Sequence, residues 1–162
     1  LDERRRWLSS THLGRRDRVV TQHSSDSAQR FEFRFQKLYV PMLAAIGVTP
    51  GTAHVVVTDD RFVARFGPWL VSTALSNVVD VCETGPYTAV KAIGARLSMT
   101  DRGLTFGSTT EGGVCLTLDK PVTGLDPLGV MRHPGLTVTV DDPEGLVAAV
   151  RAGAGLSATP VD

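Results

Sequence analysis

With 162 residues, 42% hydrophobic and 21% charged side chains, and 17 basic groups balanced by 17 acidic ones, the chain has the length and composition of a single globular domain. The charge balance speaks against a dedicated nucleic-acid binder, which carries a basic excess to neutralise phosphates, and the composition against disorder through most of the chain. No apolar run reaches the roughly 18 residues of a membrane-spanning helix, and Arg5 and Arg6 are not followed by the apolar segment of an export signal, so a soluble cytoplasmic protein is expected.

Residues 1–28 alternate arginines (Arg4, Arg5, Arg6, Arg15, Arg16, Arg18) with Ser, Thr, His and Asp and show no apolar period, which predicts a disordered basic tail; Leu1 in place of methionine suggests a shortened start. Order is expected from Gln29, where Phe31, Phe33 and Phe35 alternate with Glu32, Arg34 and Gln36 as in a strand with one buried face. Pro41 then opens a short helix over 42–46 that Gly47 ends. Strands follow at 54–58 and 61–66 around the Asp59-Asp60 turn, at 69–75 after Gly67-Pro68, and at 78–83 up to Gly85-Pro86.

Runs at 96–100 and 104–108, joined by Asp101-Arg102-Gly103, predict a hairpin, and Glu111-Gly112-Gly113 a second one leading into Val114, Leu116 and Leu118. Residues 120–134 are rich in Pro and Gly and read as a long ordered loop before a last strand at 136–140. The period then changes to helical. Asp142 is placed to cap, Pro143 and Glu144 suit the first turn, Leu146, Val147, Ala149 and Val150 form an apolar stripe, and Arg151 with Gly153 ends it before a frayed tail at 154–162. The globular domain is thus expected at 29–153.

Strands following one another from Ala53 and closed by one amphipathic helix resemble the pleckstrin-homology-like barrel, whose C-terminal helix plugs one open end. The phrases Arg65-Phe66-Gly67-Pro68-Trp69, Gly85-Pro86-Tyr87, Asp101-Arg102-Gly103-Leu104-Thr105-Phe106 and His133-Pro134-Gly135-Leu136-Thr137-Val138 resemble a conserved actinobacterial, chiefly mycobacterial, protein family of unknown function. Arginine outnumbering lysine 14 to 3 suits such a GC-rich source. No active site is carried over from that resemblance. The fold expected is α+β, mainly β: a small antiparallel β-barrel or roll with an N-terminal strand and short helix added.

The residues give little support to an enzyme. A nucleophile would need Cys115 beside His133 and an orienting carboxylate such as Asp101 or Asp126, and nothing in the spacing brings them together. Cys82 and Cys115 sit in apolar strand-like runs and read as buried, reduced thiols. His12, His23, His54 and His133 are too scattered for a metal site, and no glycine-rich loop opens a helix, so neither metal nor nucleotide cofactor is expected.

Surface recognition remains, with Arg61 and Arg65 as donor forks, Trp69 and Tyr87 as amphipathic rings beside Gly-Pro turns, and His133 at the end of the long loop. The function expected is non-enzymatic binding of a protein segment or an anionic lipid head group. The alternatives are a thiol-dependent or hydrolase-like enzyme, and a barrel enclosing an apolar ligand, which an interior filled by Phe62, Phe66, Leu97, Met99, Leu104 and Phe106 would exclude.

Overall fold

The computed structural model describes residues 27–86, 93–97, 102–126 and 128–157. The basic segment up to residue 26, Tyr87, Met99 and Asp101 lie outside the described residues, so the disordered tail expected there and the roles given to those side chains do too.

Short alternating runs separated by turn residues form strands because each can bury one face only. Four of them make the first sheet, in the order β1 (Gln29–Glu32), β2 (Ala53–Val57), β3 (Arg61–Phe66) and β4 (Trp69–Ala74), all antiparallel. A 3-10 turn at Leu75–Asn77 leads into the second sheet. That sheet contains β5 (Val78–Thr84), β6 (Gly94–Leu97), β7 (Leu104–Gly107), β8 (Gly113–Val122) and β9 (His133–Val138), in the order β5-β8-β9-β7-β6. Helix α1 (Val40–Ala45) follows β1, and Gly47 beyond it takes a φ of 82°.

The mainly β expectation and the closing helix hold. Among the described residues, however, the strands form two sheets and no closed barrel. Backbone after β1 bridges the two layers: Phe33 pairs with Val140, the Arg34 N–H donates to the Thr139 carbonyl at 2.9 Å, and the Gln36 N–H to that of Ser108 at 3.1 Å. Two local expectations are corrected. The strand at 104–107 does not pair with the one at 114–118; β9 lies between them, antiparallel to β8 and parallel to β7. The loop expected at 120–134 is shorter, since β8 runs on to Val122 and β9 starts at His133, the two residues facing each other across the ladder.

One core joins the layers. Phe62 and Phe66 from the first sheet and Leu104, Phe106, Leu116 and Leu136 from the second are buried, and the Phe66 ring stands 5.2 Å from Phe106 and 5.0 Å from Phe33. Leu97 is only half-buried.

Helix α2 (Pro143–Ala154) covers the β5 side of this core with Leu146 and Val150 fully buried. The Asp142 Oδ1 accepts the Gly145 N–H at 2.9 Å, as its capping role requires. The expected stop at Gly153 is corrected to Gly155, which adopts the left-handed cap at φ 66°. Gly153 instead lies within the helix where it passes close to Leu75, and a Cβ on it would collide with the Leu75 Cδ1.

Candidate functional site

Alternation in β3 sends Phe62, Ala64 and Phe66 into the core and leaves Arg61, Val63 and Arg65 on the outer face of the first sheet. Register builds the rest of that face. One row across the strands runs Glu32, His54, Arg65, Leu70; the next runs Arg30, Val56, Val63, Ser72; and Arg61 stands opposite Ala74 in a third. Neighbouring strands lie about 4.8 Å apart and alternate residues about 7 Å apart along a strand, so Arg61 and Arg65 are separated by about 14 Å.

Neither helix packs on this face; α1 stays beside the turn that precedes it, and α2 lies against β5 and β8. Arg61 and Arg65 are exposed, as is Leu70, at 55%. Arg30 is paired with Glu32, and the Arg61 Nη2 donates to the Ser72 Oγ at 2.9 Å. Neither Arg61 nor Arg65 has an ion-pair partner among the described residues, although the Asp59-Asp60 turn adjoins Arg61 in the chain. Beside Arg65, burial first, and then the charges of Arg30 and Arg65 against that of Glu32, hold the His54 imidazole below its ordinary pKa. Its Nδ1 is buried and has no hydrogen-bond partner among the described residues.

Trp69 lies on the other side of β4. Its ring faces Phe66 at 6.5 Å between centroids, half-buried, and borders a depression of about 420 Å³ formed with Pro68, Leu70, Thr123, Gly124 and Leu125. Leu70 is the link: it lines that depression and also ends the row containing Arg65. Asp126 closes the far side, where the N–H groups of Val130 (2.6 Å) and Met131 (3.1 Å) donate to its carboxylate and hold its pKa low.

His133 is not the surface contact expected at a loop end. It is 1% exposed inside the second sheet, its Nδ1–H donating to the Arg102 carbonyl at 3.0 Å, since that oxygen can only accept. The bare Nε2 has no partner among the described residues, and the ring borders a small pocket of about 260 Å³ with Leu97, Arg102, Val130, Met131 and Arg132. The four sequence candidates among the described residues therefore do not form one site. Arg61 and Arg65 share a face, Trp69 adjoins it through Leu70, and His133 belongs elsewhere.

Cys115 and His133 are also kept apart. On β8, Cys115 lies opposite Thr137, whereas His133 faces Val122, seven residues farther along. On β9, however, His133 is four residues from Thr137, which at about 3.3 Å per residue is about 13 Å, still far beyond hydrogen-bond reach. The thiols are less buried than expected: Cys82 is exposed and Cys115 half-buried, and they face each other across β5 and β8. Among the described residues no three His, Cys, Asp or Glu side chains gather as metal ligands would, and no helix is long and apolar enough to cross a membrane.

The residues missed by sequence reasoning are Arg30, His54, Val56, Val63 and Leu70. Their signal is the phase of each strand, which becomes a surface only once the register is known. Comparison with protein-family models, curated proteins and solved structures finds no match to this chain.

Proposed function

We propose that this chain is a non-enzymatic binding module that takes an acidic, extended protein segment on the outer face of its four-stranded sheet. The observation that carries this reading is the register that puts Arg61, Val63 and Arg65 on β3 between His54 and Val56 on one side and Leu70 and Ser72 on the other. Cation, apolar side chain and cation along one strand match an extended segment whose acidic and apolar side chains alternate. Side chains from four strands give a segment many contacts, whereas a lone head group would meet one arginine at a time, because Arg61 and Arg65 stand about 14 Å apart. The run of strands after Ala53 and the closing helix support reading the domain as a pleckstrin-homology-like roll; the strand order β5-β8-β9-β7-β6 and the parallel β7·β9 pair speak against it.

Titrating the intact protein with an acidic peptide, a scrambled neutral peptide and vesicles containing anionic lipid tests the reading. Saturable binding of the acidic peptide, lost in the Arg61→Gln/Arg65→Gln variant with the fold retained, supports it. Binding of the vesicles alone replaces the protein segment by a membrane surface, and binding untouched by the double variant places the ligand elsewhere.

A further inference from the structure

Two cysteines 33 positions apart in the chain are brought face to face by the β5·β8 ladder, in which Cys82 and Cys115 are direct partners between the Asp80–Thr117 and Thr84–Gly113 pairs. Direct partners in an antiparallel ladder project to the same side, with Cα atoms about 4.5 or 5.5 Å apart depending on the pair type. Both distances fall within the roughly 4.4–6.8 Å that a disulfide spans. This side is the outer one, because Val81, Val114 and Leu116 on either side of the thiols are buried in the core. The outer row continues from Cys115 to Thr137 on β9. Both thiols are free.

We propose that Cys82 and Cys115 form a cross-strand dithiol, a covalent modification site at which a low-molecular-weight disulfide oxidises the pair to an intramolecular disulfide. Exposed Cys82 is the entry thiol. Its thiolate attacks one sulfur of the small disulfide, forming a mixed disulfide and expelling one thiolate. The Cys115 thiolate then attacks the Cys82 sulfur, forming the Cys82–Cys115 bond and expelling the second. The two protons released by the cysteines end on the two small thiols, and the two electrons lost by the protein reduce the small disulfide. Half-burial of Cys115 suits it to the second, resolving step. The pair can adjust toward bonding geometry because, among the described strands, β5 is the edge of its sheet and pairs only with β8.

The neighbourhood sets the rate. Burial, then the adjacent Cys115 and the Asp80 carboxylate, raise the Cys82 pKa against the pull of Arg151, whose Nη2 donates to the Val81 carbonyl at 3.0 Å. Exchange therefore accelerates with rising pH, since the thiolate is the attacking form. The site owes nothing to the arginine face, which lies on the other sheet.

The test incubates the folded, full-length protein with oxidised glutathione at mildly alkaline pH, quenches with acid, and reads intact mass and the linked peptides. The expected product has lost two hydrogens, carries no glutathione and yields a peptide joining Cys82 to Cys115. Cys115→Ser should stop at one glutathione on Cys82. Three outcomes in the unmutated protein would overturn the proposal: a stable glutathione adduct on Cys82, a link between two copies of the chain, or thiols that stay reduced while the urea-unfolded chain oxidises.

Discussion

Replacing Leu146 by alanine asks whether α2 is part of the core or an ornament on it. The side chain is fully buried, with Val150 one turn along on the same face, against β5 and the turn at Leu75. The change removes three carbons, which at about 0.8 kcal/mol per buried CH₂ is about 2.4 kcal/mol of lost transfer free energy. The cavity left behind adds to this, and buried Leu→Ala changes span about 2–5 kcal/mol. Leu146 sits under a helix held at one side of the domain, so partial collapse keeps the cost near the middle, about 3 kcal/mol. For a chain of this size each kcal/mol lowers Tm by about 2–4 °C, giving a fall of about 6–12 °C. Thermal and urea unfolding, followed by circular dichroism with Val147→Ala as a half-buried control, measure it. A loss below about 1 kcal/mol would refute the reasoning, because that is the range of ordinary surface and rim substitutions.

Asp142→Ala removes the acceptor for the Gly145 N–H and should lower stability by about 1 kcal/mol, read from the urea midpoint; an unchanged midpoint would show that water satisfies the helix start equally well. His54 gives a pH dependence. Its folded-state pKa lies below the ordinary 6.5, so the unfolded chain takes up the proton more readily; stability is full above that value and is lost as pH falls through the depressed folded value. Melting scans between about pH 8 and pH 5 should therefore show a decline that His54→Gln flattens, and an unaltered slope in the variant would assign the decline to other groups.

How much of this was legible in the chain depends on the range of each interaction. The Phe62-Ala64-Phe66 alternation and the Asp142-Pro143-Glu144 helix start are local patterns that the structure follows; the Phe31-Phe33-Phe35 pattern is followed only in part, since Phe31 and Phe33 are buried but the strand ends at Glu32 and Phe35 lies beyond it. The insertion of β9 between β7 and β8 is a non-local pairing with no short-range signal, so a meander was the natural expectation. Gly153 and Gly155 are equally good helix stops by type; the structure caps the helix at Gly155 and places Gly153 against Leu75, a contact with no signal in the local sequence. His133 follows a Pro- and Gly-rich stretch, which suggests a surface loop, yet its pairing with Val122 draws it into the sheet. The candidate face was half legible. Arg61 and Arg65 declare themselves by alternation, whereas His54, Arg30 and Leu70 join them only through register across four strands, and the Cys82–Cys115 pair depends on register in the same way.

Salt dependence of acidic-peptide binding tests the central claim most directly. Between about 0.01 M and 0.15 M ionic strength the screening length falls from about 30 Å to about 8 Å, shorter than the separation of the arginines across the face. Affinity should fall steeply over that range in the unmutated protein. The Arg61→Gln/Arg65→Gln variant should bind weakly at both concentrations while melting at the same temperature as the parent, since surface substitutions rarely move stability by more than about 0.5 kcal/mol. Equal affinity at the two salt concentrations, or a double variant that binds as the parent does, would contradict the account.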